Sequence, residues 1–188
     1  VCEKHNIHIV ACGGTVLGAV RHKGFIPWDD DIDMMMLREE YDKLCKIAQE
    51  EFKYPYFFQT EYTDPGSLRR HAQLRNSETT AILAKEKGKV KFNQGIFIDI
   101  FPLDNVTNHL WKFKIQKNIA DFYRRLYGFV YNNSYMYKQE EISTEQKIKS
   151  VIAKSIDKVF SYQKIYKKFE ETCAYFNNEN TEYVSQLF

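Results

Sequence analysis

The chain has 188 residues, 44% of them hydrophobic and 28% charged, with a formal net charge of +2, which is ordinary for one globular core with room for a helical extension. Cys2, Cys12, Cys45 and Cys173 show neither metal-ligand spacing nor a paired pattern. They argue against a disulfide scaffold or a zinc module and for a reducing, cytoplasmic setting. No run of about 18 apolar residues occurs, so none of these residues is expected to form a membrane-crossing helix.

Val1–His5 reads as the tail of a helix, so the native chain is expected to extend further in that direction. Ile7–Ala11 is a short β-branched strand. Gly13-Gly14 ends it, and Thr15 is the expected N-cap of a helix through Val16, Leu17, Ala19 and Val20. Arg21–Asp30 contains Gly24 and Pro27 without helical period, the mark of a loop. Asp31–Met36 is next, a second strand with two acidic positions on one face. Glu39–Phe52 repeats its apolar residues at three and four, as a helix does.

Tyr56–Thr60, His71–Arg75 and Thr80–Leu83 are strand candidates, and Ala84–Asn93 is a Lys-rich connection. Gly95–Phe101 is the clearest strand, closed by Pro102, with Asp104 beyond it placed to cap the next segment. Helices are expected over His109–Tyr127, from a capping box at Ser143–Gln146 through Phe160, and over Gln163–Phe176. The terminal Tyr183–Phe188 has strand composition and stops abruptly, which again points to a longer native chain. The expected fold class is α/β or α+β: a mixed sheet flanked by helices, with residues 1–104 as the core and 105–188 as a helical extension packed on it.

Charge is unevenly placed along this plan. Residues His109–Lys168 hold 13 Lys/Arg against 5 Asp/Glu. A basic helical half beside an acidic half suits an anionic substrate or an anionic membrane face, and plain solvated helices give the same count. The basic region lacks the interleaved stacking rings of a nucleic-acid binder, so no nucleic acid is expected.

Chemistry concentrates at Trp28-Asp-Asp-Asp-Ile-Asp33. Carboxylates this close repel unless a cation neutralises them. On a strand Asp31 and Asp33 would share a face and grip one hard cation, Mg²⁺ or Mn²⁺. Asp29 and Asp30 either stay solvated or orient loop groups. Gly13-Gly14 lets the backbone approach a phosphate at a helix start. Arg21, His22 and Lys23 could meet further phosphate or sugar oxygens. Asp99, on the face of Phe97 and Phe101 and opposite Ile96, Ile98 and Ile100, is a third metal ligand or a general base.

The stretch from Gly13 to Asp33 resembles the signature of the LicD family, and Gly95-Ile-Phe-Ile-Asp-Ile-Phe-Pro-Leu-Asp104 is similar to that family's second block. The family includes bacterial phosphocholine transferases and is related to fukutin-type ribitol-phosphate transferases, all with a nucleotidyltransferase-like fold. The resemblance implies metal-dependent transfer of a phosphocholine-type group from a CDP-activated donor to a sugar hydroxyl. The acceptor would be a cell-surface glycan precursor, such as teichoic acid or lipopolysaccharide, or a lipid-linked glycan. It implies Asp31, Asp33 and Asp99 as catalytic metal ligands, with Gly13, Gly14, Thr15, Arg21, His22, Lys23 and Trp28 binding substrate. Trp28 could face a trimethylammonium or pin the loop to the core. The enzyme would be cytoplasmic, with peripheral contact at the inner membrane face. Two alternatives stay open: another phospho-alcohol as cargo (phosphoethanolamine or a polyol phosphate), and a non-catalytic nucleotide- or glycan-binding domain.

Overall fold

The computed structural model describes residues 1–83, 86, 88, 90–136 and 143–186. Residues 84, 85, 87 and 89 of the expected Ala84–Asn93 connection, and 187 and 188 of the terminal strand, lie outside the described residues. The fold is mixed α/β, with six strands and five α-helices among the described residues. The chain divides into two compact units, Val1–Lys87 with Lys91–Leu103, and Gly88–Val90 with Asp104–Phe188.

The first unit opens with a 3-10 turn at Glu3–His5 and strand β1, Val10–Ala11. Helix α1 spans Gly13–His22, β2 Asp33–Leu37, α2 Arg38–Glu51, β3 Tyr56–Gln59, β4 Ala72–Asn76 and β5 Ile96–Val106. The strands order as β1-β2-β5-β4-β3. Only the β2–β5 pair is parallel within this path, because α2, β3 and β4 lie between those strands in the chain and form the crossover a parallel pair requires.

Alternation gives this sheet two different faces. Met36, Phe58, Ala72 and Ile100 are buried with Tyr41, Leu44 and Ala48 of α2 and with Ile7, while Met34, Leu74 and Ile98 pack against that cluster. The other face carries Asp33, Asp99, Gln73 and Gln59 in one transverse row, each the register partner of the next. The apolar face holds the sheet to α2, which leaves the polar face to carry chemistry.

Several boundaries differ from expectation for identifiable reasons. The first strand keeps only two paired residues, because Ile7 goes into the core cluster instead. Cys12, not Thr15, caps α1; the Thr15 hydroxyl accepts the Asp33 N–H at 2.8 Å. The helix continues through Arg21 and His22 and stops at Lys23, which takes φ +58° and donates its N–H back to the Gly18 carbonyl. Thr80–Leu83 forms no strand; Ala81 makes a single backbone bond to Gln94 at 2.7 Å.

Pro102 does not close β5. The Asp99 N–H donates to the Ile32 carbonyl at 2.9 Å, so alternation turns the Pro102 nitrogen away from β2. On that other side the β4 pairing has already ended at Ile100. No ladder partner needs the missing donor.

The second unit starts at the end of β5, where Asp104–Val106 pairs with β6, Tyr183–Ser185. Its helices are α3 (Leu110–Tyr131), continued by a π-helical turn at Asn132–Met136, α4 (Thr144–Val159) and α5 (Tyr162–Cys173). Ser143 caps α4 by accepting the Gln146 N–H, but the Gln146 side chain turns to Asn133 at 2.7 Å, leaving the capping box half made. Aromatic rings fill the interior: Tyr127 meets Tyr166 and Phe169 edge-on at centroid distances of 5.2 and 5.6 Å. Asp104 is no cap; it is fully buried and accepts from Asn177 Nδ2 at 2.8 Å. Among the described residues no helix is long and apolar enough to cross a membrane.

Gly18 shows how tightly α1 is seated. A Cβ there would stand 2.6 Å from the Gly24 carbonyl oxygen and 3.1 Å from the Ile26 nitrogen, both backbone atoms. Gly18→Ala should therefore destabilise the protein by about 1–3 kcal/mol despite alanine's better helix propensity. Urea denaturation reads this directly, and an unchanged or higher midpoint would show that the Lys23–Ile26 turn yields.

Candidate active site

The site lies at the β2 end of the transverse polar row. Asp33 begins β2 and stands in register with Asp99 on the adjacent parallel strand. Two backbone hydrogen bonds and one to a side chain fix this junction: Cys12 N–H to the Asp33 carbonyl at 3.0 Å, Asp99 N–H to the Ile32 carbonyl at 2.9 Å, and Asp33 N–H to the Thr15 hydroxyl at 2.8 Å. Asp31 precedes the strand, so pleat alternation does not place it beside Asp33. Both nonetheless belong to one cluster of like charge. Burial and then the charges of Asp29, Asp30 and Asp99 raise the Asp31 pKa, while burial and then Asp31, Asp99 and Asp29 raise that of Asp33.

Asp99 is held in the opposite state. Burial alone would raise its pKa, but the hydrogen bond and charge of His71, with Gln73 and Arg69, outweigh it and keep the carboxyl below its ordinary value. His71 Nε2 lies 2.8 Å and Gln73 Nε2 2.5 Å from the same oxygen, Asp99 Oδ1. The His71 ring packs on Phe101 at 4.4 Å between centroids, and its Nδ1 is buried without a hydrogen-bond partner among the described residues.

The glycine pair has a reason the sequence did not show. Gly13 takes φ +55°, and a Cβ on it would stand 3.1 Å from Asp33 Oδ2; a Cβ on Gly14 would press into Asp29 Oδ2. The glycines thus make room for carboxylates at the start of α1, where the first N–H groups have no acceptor within the helix. Asp29 is a member of the cluster rather than a solvated neighbour.

The structure brings together Gly13, Gly14, Thr15, Asp31, Asp33 and Asp99. It does not bring Arg21, His22 and Lys23 to the glycines, since α1 carries them to its far end, about 12 Å along the axis. There Arg21 Nε donates to His22 Nδ1 at 3.3 Å, and His22 meets the edge of the Trp28 ring at 6.4 Å. Trp28 is 81% exposed, which leaves its ring open rather than pinned to the core.

Among the described residues, no three His, Cys, Asp or Glu side chains already stand in ligating geometry. The donor set still fits a hard divalent cation: every candidate ligand is a carboxylate, and the charges of Asp31 and Asp33 are not balanced by the groups around them. Sequence reasoning missed His71, Gln73 and Arg75. The signal was the alternation in His71-Ala-Gln-Leu-Arg75, three polar residues on the face of Asp99 and two apolar ones on the core face.

Comparison with known proteins places this geometry. The family model described as the LicD/FKTN/FKRP nucleotidyltransferase domain matches residues 6–165. A lipopolysaccharide cholinephosphotransferase LicD of Haemophilus influenzae is 38% identical over 114 residues, covering 57% of this chain and 39% of that protein. An uncharacterized protein of Rickettsia prowazekii is 33% identical over 99 residues, covering 53% of this chain and 35% of its own length. The chain thus spans less than half the length of these relatives, and no solved structure matches it. With the family model running through both acidic blocks and over most of the sequence, the chain belongs to the LicD family.

Proposed function

We propose that this chain carries the catalytic core of a transferase that moves a phosphocholine-type group from a CDP-activated donor to a sugar hydroxyl of a cell-surface glycan precursor, lipopolysaccharide or teichoic acid. The observation that carries the reading is the pairing of Asp33 with Asp99 across β2 and β5, with Asp31 in the same field of charge. The likeness to a lipopolysaccharide cholinephosphotransferase supports the cargo and the glycan.

Asp31, Asp33 and Asp99 would hold Mg²⁺ or Mn²⁺, which when bound supplies positive charge against the donor's diphosphate and the departing CMP. The chain's own groups do the positioning. Thr15 fixes the start of β2, and the first N–H groups of α1 would meet a donor phosphate once a cation neutralises the carboxylates beside them. The exposed Trp28 ring can receive a trimethylammonium, and Arg21, His22 and Lys23 at the same end of α1 can meet sugar or phosphate oxygens. The acceptor oxygen bonds to the choline-bearing phosphorus as the bond to the bridging oxygen breaks, and CMP leaves with the electron pair. Asp99, kept ionised, serves as ligand or takes the hydroxyl proton.

The second unit fits a peripheral place at the inner face of the membrane, where a lipid-linked acceptor would lie. Ile148, Val151, Ile152 and Val159 form an exposed apolar stripe on α4. Lys147, Lys149, Lys154 and Lys158 flank it, the pattern of a helix lying in an anionic interface.

Asp31→Asn or Asp33→Asn should lower CMP release from CDP-choline by on the order of 10²-fold or more. Neither should weaken the fold. A carboxyl whose pKa is raised on folding opposes folding once pH exceeds that value, so its stabilising share is lost as pH rises. With chelator present, the Asn variants should melt at or above the parent at neutral pH, and this advantage should vanish below about pH 4. Full activity in either variant would remove these residues from the catalytic account.

A donor panel of CDP-choline, CDP-ethanolamine and CDP-ribitol identifies the cargo by CMP release. Trp28→Ala should raise KM several-fold for CDP-choline, about 1 kcal/mol, and less for the others. Equal effects on all three would remove Trp28 from recognition of the cargo. Binding to vesicles containing phosphatidylglycerol should fall steeply between about 0.05 and about 0.5 M salt; absent or salt-insensitive binding would leave the lysines as solvated faces.

A further inference from the structure

The polar row does not stop at Asp99. Gln73 is the register partner of Asp99 on β4, and Gln59 is the register partner of Gln73 on β3. Between the two glutamines lies Arg75, 1% exposed, with its guanidinium carbon 4.7 Å from the centre of the Phe97 ring. Each of its nitrogens donates: Nε to Gln59 Oε1 at 2.6 Å, Nη1 to the Gly95 carbonyl at 2.6 Å, and Nη2 to Gln73 Oε1 at 2.5 Å. Burial, with Arg69 nearby, lowers its pKa to about 10, so it is still protonated at neutral pH.

A guanidinium has donors only, so each glutamine must turn its carbonyl oxygen toward it. That fixes the other end of each amide. Gln59 Nε2 is sent to Asp64 Oδ2 at 2.7 Å and to the Asn93 carbonyl at 3.0 Å. Gln73 Nε2 is sent to Asp99 Oδ1 at 2.5 Å. If Gln73 were free to flip, its carbonyl oxygen would face a carboxylate and repel it. Arg75 forbids the flip.

Both donors to Asp99, His71 and Gln73, converge on Oδ1. Oδ2 makes no hydrogen bond among the described residues, and the Asp99 side chain keeps 13% of its surface exposed. The carboxylate is thereby anchored by one oxygen, leaving the other uncommitted beside Asp33, its register partner. We infer that Arg75 and Gln73 are positioning residues: the buried guanidinium orients the Gln73 amide, and that amide holds Asp99 with its second oxygen presented to a divalent cation. This rests on the metal reading above and adds a mechanism for building the site. A β4 side chain fixes a β5 ligand, through an arginine that touches no substrate.

The test is a double-mutant cycle on Mn²⁺ binding, followed by electron paramagnetic resonance on the folded, nucleotide-free chain. Gln73→Met should weaken Mn²⁺ binding about tenfold in the parent, as loss of a group that orients a metal ligand does. In an Asp99→Asn background the same substitution should change it less than about twofold, because its effect runs through Asp99. A merely structural role would weaken both backgrounds equally, and that result, or no loss in the parent, overturns the inference. If Gln73→Met does not fold, Gln73→Asn carries the same cycle, since its amide is one methylene too short to span Arg75 and Asp99. Failure of the parent to bind Mn²⁺ would overturn the metal reading and this inference together. Binding by the parent without coupling between positions 73 and 99 overturns this inference alone.

Discussion

Asp33 and Asp99 meet across a parallel strand pair, and the arrangement of the first unit comes from having to hold two like charges there. Neither can be pushed apart by a small adjustment, because β2 and β5 are locked by their ladder and Asp33 is tied at its N–H to Thr15 and at its carbonyl to Cys12. Repulsion therefore appears as altered proton affinity rather than as separation. Asp31 and Asp33 hold their protons more tightly than usual, while Asp99 is kept charged by His71, Gln73 and Arg69. A site with one firmly ionised carboxylate and two strained neighbours is poised to take positive charge.

The sheet makes this possible by dividing its labour between faces. Met36, Ala72, Ile100 and Phe58 bury against α2 and supply the apolar area that stabilises the unit. The opposite face can then carry Gln59, Gln73, Arg75 and Asp99, provided each buried polar group finds a partner. Arg75 meets that condition with three short hydrogen bonds to neutral acceptors. The negative charges that act on it are Glu86, Asp99 and Asp64, and the last two are reached through an amide, Asp99 by way of Gln73 and Asp64 by way of Gln59.

Much of this was readable in the sequence where local rules decide the outcome. The alternation in Ile96–Phe101 put Asp99 opposite Ile98 and Ile100, and the structure has it there. The helices α2 to α5 keep to their apolar period to within a few residues. What could not be read depends on pairing. Asp31 was expected on β2 because carboxylates two apart suggest a pleat, but the ladder starts at Asp33, where Asp99 and Thr15 supply the partners. Pro102 should end a strand, and does not because β4 has already ended on its side. His71, Gln73 and Arg75 gain meaning only once register sets them beside Asp99 and Gln59.

The glycine pair shows how a residue can be identified correctly while its physical reason is not. A phosphate turn and a carboxylate pocket both ask for glycine at the start of a helix. Here the atoms that crowd Gly13 and Gly14 belong to Asp33 and Asp29. An acid at the mouth of α1 opposes any phosphate that approaches the same N–H groups, and the helix dipole, equivalent to roughly half a charge, cannot offset a full carboxylate. The two halves of the site are therefore not independent. The helix start becomes attractive to an anion only when the carboxylates beside it are neutralised, so a bound cation is expected to strengthen diphosphate binding and diphosphate to strengthen that of the cation.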